Sequence, residues 1–106
     1  MMLAACASVP LPEQELEVAA AALQAARTLG APEHAADQFS VAEQKLANGK
    51  QLIETEQNTA ARREFQQAAV DAKLATALAE LQQRDAERRA LLAEIDELQQ
   101  RIEGLQ

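Results

Sequence analysis

Apolar side chains recur every three or four residues through most of this chain, and that spacing restricts its fold to helices. Gly and Pro, which interrupt helices, are few. A first helix is predicted over residues 13–29, because Gly30 stands at a helix C-terminus and Pro32 cannot continue the helix. The apolar stripe of this helix consists of Leu16, Ala19, Ala20, Leu23, Ala26 and Leu29.

A second apolar stripe follows Ala31-Pro32-Glu33 and predicts a helix that continues to about Glu56. The Asn48-Gly49 dipeptide is a turn signal, but the stripe passes through it without a change of phase. We expect the helix to continue, because the polar residues 56–59 form a better turn in which Asn58 can cap the next helix. A helix that ends at Asn48-Gly49 is the alternative. The stripe comprises Phe39, Ala42, Leu46, Gly49 and Ile53.

From about Thr59 the pattern is helical to the end of the chain. One face carries small side chains around a single ring: Phe65, Ala68, Ala69, Ala72, Ala75 and Ala79. Antiparallel pairing around the second turn sets Phe65 level with Gly49, and Phe39 level with Ala75, so that each ring meets a small neighbour. We therefore predict an all-α fold. It is a three-helix antiparallel bundle over residues 13–80, with a long C-terminal helix that projects over residues 81–106 as a coiled-coil-like tail.

The projecting part has its own apolar row, at spacings of four, three, four and three residues: Leu91, Ile95, Leu98, Ile102 and Leu105. Isoleucine at the a positions and leucine at the d positions of such a heptad favour a parallel two-stranded coiled coil. Upstream, the register continues through Val70, Leu74, Ala77 and Leu81. Arg84 and Arg88 interrupt it. We expect the row to be an interaction seam for a protein partner or for a second copy in a parallel dimer. A single helix with a mildly apolar stripe is the alternative, because the uninterrupted row is short.

The composition restricts the classes of partner. The formal net charge is -7 and the aromatic residues are Phe39 and Phe65, whereas nucleic-acid binding needs a basic surface and usually aromatic stacking. We therefore expect no nucleic-acid partner. A core made mainly of Ala, Leu, Ile and Val in a chain of 106 residues is thin, which favours oligomerisation. No apolar run in the sequence is long enough to span a bilayer.

Leu3-Ala4-Ala5-Cys6 is the most specific short motif in the sequence. It resembles a lipobox, in which small residues precede a cysteine that becomes acylated. Each buried methylene contributes about 0.8 kcal/mol, so two or three acyl chains anchor a protein stably. Ala7, rather than Asp, after Cys6 suits sorting to the outer membrane. We predict lipid attachment at Cys6 and a membrane partner, with residues 1–12 as residual signal and tether.

The Met1-Met2 start supplies neither the basic region nor the apolar region of a signal peptide. We expect that this start lies inside a longer signal peptide, or that the chain is a fragment. The alternative is a cytosolic protein with a chance cysteine near its terminus.

No residue pattern in the sequence points to catalysis. His34 is the single histidine and Cys6 the single cysteine, whereas metal sites need several ligands at defined spacing. The carboxylates lie along predicted exposed helix faces, and neither a phosphate-binding loop nor a nucleophile elbow occurs. We expect no enzyme activity, no cofactor or metal, and no small-molecule substrate.

The chain resembles the small Gram-negative lipoproteins that carry the Ala-rich helical domain of unknown function 4398. The resemblance rests on the cysteine motif, the Pro-containing tether and the Gly-Ala-Pro turn that ends an Ala-rich helix. The matching stretches are residues 15–36, 42–46 and 68–79. This resemblance implies a helical module of the bacterial envelope, and it brings no defined mechanism.

These observations lead to one main hypothesis and two alternatives. The main hypothesis is a lipoprotein on the periplasmic face of the outer membrane that acts as a structural or protein-interaction module. The first alternative is a soluble coiled-coil adaptor without a lipid anchor. The second is an accessory activator of an envelope enzyme.

Overall fold

A computed structural model describes residues 8–105 of the chain. Four helices account for most of this range and no strand occurs in it: α1 (Glu13–Thr28), α2 (Ala31–His34), α3 (Ala36–Glu54) and α4 (Asn58–Gly104). The molecule is elongated, with principal extents of 100 × 16 × 14 Å. The all-α prediction is confirmed.

The first turn of the chain forms around Gly30. Its φ of 81° is left-handed, a conformation that glycine adopts without steric cost. The Gly30 amide donates to the Arg27 carbonyl oxygen at 3.2 Å, which closes the last turn of α1. The predicted end of the first helix is therefore confirmed.

The segment after Gly30 differs from the prediction of one uninterrupted second helix. Ala31–His34 form the short helix α2, and Ala35 breaks the path with φ -146° before α3 begins. Ala31 and Ala35 are both buried, so the chain bends to place two methyl groups in the core. Pro32 tolerates this position because the first turn of a helix needs no amide donor from it.

The second turn lies at residues 55–57 rather than at Asn48-Gly49, which confirms that α3 is continuous through that dipeptide. The Gln57 amide donates to the Leu52 carbonyl at 2.8 Å and the Glu56 amide to the Ile53 carbonyl at 3.0 Å. This is the Schellman arrangement, and it holds Glu56 at a φ of 59°.

The prediction that Asn58 caps the last helix is wrong. Gln57 occupies the N-cap position and Asn58 is the first residue of α4. The Asn58 side-chain amide instead donates to the carbonyl oxygen of Val9 at 2.8 Å. This hydrogen bond joins residues that are 49 positions apart, so the local sequence gives no sign of it.

Both α1 and α3 pack along the first half of α4. The start of α1 lies near the start of α4, where Asn58 contacts Val9, and its end lies where Gln83 donates to the Leu29 carbonyl at 2.8 Å. The α1 and α4 helices therefore run in the same direction. In contrast, α3 runs in the opposite direction, because Lys45 pairs with Asp71 while the earlier Phe39 clusters with the later Ala75.

The core is divided between two rings, each surrounded by alanines. Phe39 shares one cluster with Leu23 and Ala75, and Phe65 lies in the other with Ala19 and Ala68. Alanine leaves little volume between helix backbones, so the helices approach closely around each ring. The predicted levels of Phe39 and Phe65 along the neighbouring helix are confirmed.

Burial ends long before α4 does. Ala79 is the last buried residue in the described chain, and every residue from 86 to 105 is exposed. At 1.5 Å per residue this exposed portion is about 30 Å long. We call residues 86–105 the projecting segment.

Candidate interaction surface

The five residues of the predicted seam all lie on the projecting segment. Their side chains are 46–87% exposed, although each is a large aliphatic group: Leu91, Ile95, Leu98, Ile102 and Leu105. The first four belong to α4 and Leu105 is the C-cap residue of that helix, so at spacings of four and three they form a single row along it. We call these five residues the apolar row. Such a contiguous exposed apolar surface is typical of a contact site for another molecule.

The heptad positions upstream of the apolar row are exposed as well, and they point away from the core. Val70 is 65% exposed and Leu74 is 48% exposed, whereas Ala72 between them is fully buried. A step of two residues rotates a helix by about 200°, so these side chains lie on the face opposite to the buried one. The outer face of α4 is thus apolar on both sides of Arg84 and Arg88.

Two exposed apolar residues that lie next to these heptad positions were missed by the sequence analysis. Val18 of α1, 48% exposed, lines a shallow groove with Val70. Leu92, 53% exposed, flanks the apolar row on the projecting segment. Both fall outside the heptad positions, and the signal that could have found them is simply an aliphatic residue beside a predicted seam.

Charged side chains border the apolar row and mostly pair within their own helix. Asp85 forms ion pairs with Arg88 at 3.0 Å and with Arg89 at 2.9 Å. Arg101 pairs with Glu97 at 2.9 Å. Apart from Asp85, whose side chain is 37% exposed, these groups are largely exposed, so each pair adds little to stability.

The apolar row lies far from the N-terminal end of the described chain. Val9 is held beside Asn58 at the start of α4, and Pro12 is fully buried there. From Asn58 to the apolar row is about 50–70 Å along the helix. The predicted lipobox residues lie outside the described residues: Leu3, Ala4, Ala5 and Cys6.

Residues 8–105 contain neither a cluster of metal-ligand side chains nor a helix suited to a bilayer. No group of three or more His, Cys, Asp or Glu side chains in this range is arranged to hold a metal ion. His34 is exposed to solvent. None of the helices described for the chain combines the length and the apolar character that crossing a membrane requires.

Comparison with known proteins places the chain in a family. No curated protein and no solved structure matches it. Residues 14–98 match the family described as Domain of unknown function (DUF4398). The matched range covers α1 from its second residue, all of α2 and α3, and α4 as far as Leu98, so it extends into the apolar row. The chain therefore belongs to the DUF4398 family.

Proposed function

We propose that this protein is a lipoprotein anchored to the periplasmic face of the outer membrane, where it acts as a structural or protein-interaction module. The observation that carries the proposal is the apolar row, which is exposed along a helix that extends well beyond the packed part of the molecule. When a partner covers an aliphatic surface of this kind, apolar area is removed from water and the free energy of the system falls.

In this proposal the chain has three parts. Residues 1–12 are residual signal and tether, residues 13–80 form a three-helix antiparallel bundle, and residues 81–106 form the projecting coiled-coil helix. The directions of α1, α3 and α4 and the end of burial at Ala79 support this division. The bundle acts as a rigid base that holds the projecting helix.

The lipid anchor is supported by the Leu3-Ala4-Ala5-Cys6 motif and by the position of Val9. Val9 follows Cys6 by three residues and lies at the end of α4 that is opposite to the apolar row. An anchor on Cys6 therefore attaches the chain near the end of α4 that is opposite to the apolar row, which leaves the row free to contact another protein.

The anchor is tested by expression from a start that includes the upstream coding region, followed by detergent phase separation and intact-mass measurement. We expect the wild type in the detergent phase, with a mass that corresponds to cleavage before Cys6 and to added acyl chains. The matched control is Cys6→Ser, which should move to the aqueous phase. A full-length, unacylated wild type overturns the anchor and leaves the soluble adaptor.

The interaction role is tested by crosslinking in isolated envelopes. Wild type is compared with a variant in which Ile95→Asp and Leu98→Asp place two charges in the apolar row. We expect crosslinked species that are present for the wild type and lost for the variant. The control is Ala93→Asp, because Ala93 lies on the same exposed helix outside the apolar row. Equal crosslinking of all three proteins overturns the interaction role of the row.

A further inference from the structure

We infer that the apolar row pairs with a second copy of this chain in antiparallel orientation, so that Ile95 of one copy packs against Leu98 of the other. This inference rests on the proposed interaction role of the row, and it goes beyond that role by naming the partner and its direction. It differs from the parallel dimer that the isoleucine and leucine pattern alone favours. The charges that border the row provide the argument.

A parallel pair brings like charges together. Identical a and d positions face one another in parallel coiled coils, so Arg84 and Arg88 would each meet their own counterparts directly before the apolar row. A residue at the g position, just before an a position, faces the partner residue five positions later. Glu80 would therefore face Asp85 of the second copy. Like charges at such positions are destabilising.

The antiparallel pair separates the arginines. When Ile95 faces Leu98, the neighbouring layer pairs Leu91 with Ile102, and symmetry repeats both contacts. These four layers consist only of leucine and isoleucine, and the layer at each end of them sets Arg88 of one copy opposite Leu105 of the other. The two Arg88 side chains then lie at opposite ends of the apolar block, about 25 Å apart along the helix axis.

The same register places opposite charges beside the block. Glu94 and Arg101 occupy g positions, and g residues face each other in antiparallel coiled coils. Glu94 of each copy therefore meets Arg101 of the other, which gives two ion pairs by symmetry. Arg101 now pairs with the exposed Glu97 of its own helix, so it needs little desolvation to be shared.

Another antiparallel register is less favourable. A shift that lengthens the overlap by one heptad pairs Glu87 with Arg101, but it sets Glu94 against Glu94 of the second copy and moves Arg88 into the apolar row opposite Leu98. The register that pairs Ile95 with Leu98 avoids the contact between the two Glu94 side chains, and it moves Arg88 to the ends of the overlap, opposite Leu105. It also confines the overlap to the part of α4 that neither α1 nor α3 covers.

The proposed dimer has a distinctive shape. Its two-fold axis crosses α4 between residues 96 and 97, and the two packed parts lie at opposite ends of a rod. The Asn58 residues of the two copies are then about 115 Å apart along the axis. In a parallel dimer they would lie side by side.

A distance measurement distinguishes the two directions in the full chain. Gln82, which is exposed on α4, is replaced in the Gln82→Cys, Cys6→Ser variant and labelled with a nitroxide. Double electron–electron resonance on the dimer should give a distance of about 44 Å between the two nitroxides for the antiparallel register. A parallel pair, with helix axes about 10 Å apart, gives roughly 20 Å or less and overturns the inferred direction.

The dimer association constants of charge-reversed variants provide the second measurement. We expect Glu94→Arg and Arg101→Glu each to reduce the dimer association constant roughly tenfold, since two opposite-charge contacts become two like-charge contacts. The double variant should restore association to near the wild-type value. Circular dichroism checks that the helix content is unchanged. Equal association of all four proteins overturns the register, because Glu94 faces the uncharged Gln99 in a parallel pair.

The oligomeric state separates this inference from the proposed function. A chain that sediments as a monomer at every concentration overturns the antiparallel dimer. A monomeric chain would not contradict the anchor on Cys6 or an interaction with a different protein. Phase separation and envelope crosslinking test those two proposals separately.

Discussion

Gly49 of α3 lies directly against the ring of Phe65 of α4. A Cβ atom built on Gly49 would overlap Cε1 of that ring and would lie 2.7 Å from its Cδ1. Real side chains do not tolerate such distances, so the absence of a side chain at this position allows the two helices to enclose a completely buried aromatic ring. A residue that the local sequence marks as a turn is instead part of the core.

The first prediction concerns Gly49→Ala. In an exposed helix this change stabilises by up to about 1 kcal/mol through helix propensity. Here the added methyl group overlaps Phe65, and overpacking typically costs about 1–3 kcal/mol. We therefore expect a net decrease in the free energy of unfolding of about 1–2 kcal/mol, measured by urea denaturation followed by circular dichroism.

The control for this prediction is Gly104→Ala, because nothing lies within 4 Å of a Cβ atom at Gly104. It should leave stability unchanged or slightly increased. In the Phe65→Leu background, Gly49→Ala should cost less than it does alone, since the smaller side chain leaves room. An equal cost in both backgrounds would show that the ring is not what opposes the methyl group.

The second prediction is that Glu56→Gly stabilises the protein. Glu56 adopts a φ of 59°, which costs a residue with a Cβ atom about 1–2 kcal/mol relative to glycine. Greater freedom of glycine in the unfolded chain offsets part of this gain. We expect the free energy of unfolding to rise by about 0.5–1 kcal/mol in the same denaturation experiment.

Gly30→Ala is the opposite substitution, because it places a residue with a Cβ atom at a left-handed φ of 81°. It should lower the free energy of unfolding by about 1 kcal/mol. If Glu56→Gly and Gly30→Ala changed stability in the same direction, backbone strain would not be the controlling factor at these turns.

The third prediction concerns the ion pair between Lys45 of α3 and Asp71 of α4. Both side chains are largely shielded, with 28% and 24% exposure, so water screens their attraction less than at the surface. A double-mutant cycle with Lys45→Met and Asp71→Asn should give a coupling energy of about 1 kcal/mol.

The matched control is the cycle at Arg101 and Glu97, which are 68% and 65% exposed. Its coupling energy should be about 0.3–0.5 kcal/mol and should fall when salt is added. A larger coupling at this exposed pair than at Lys45 and Asp71 would contradict the role of burial.

The fourth prediction concerns self-association through the apolar row. Ile95→Asp with Leu98→Asp should abolish concentration-dependent association in sedimentation equilibrium, because the charges would have to be buried against aliphatic side chains. Unfolding of the isolated monomer should change little, since both positions are exposed in it. The Ala93→Asp control should associate like the wild type. A wild type that is already monomeric at high concentration would refute self-association through the row.

Much of the helical layout could be predicted from the spacing of apolar residues. The end of α1 at Gly30, the passage of α3 through Gly49 and the level of Phe65 follow from periodicity and from pairing about a turn. The details that differed depend on long-range contacts. The amide of Asn58 is bound by Val9, and Ala31 and Ala35 turn inward at a bend that local propensity does not mark.

By itself, the sequence determined that the chain is helical, where most of its helices end, and which aliphatic residues form a row near its C-terminus. Only the tertiary structure decided that the outer face of α4 is apolar on both sides of Arg84 and Arg88, that the Asn58 side chain binds Val9, and how closely Gly49 approaches the ring of Phe65. The physical reason is that periodicity identifies the faces of a helix. Which face is buried depends on how the other helices pack against it, and α1 and α3 both pack on the same side of α4.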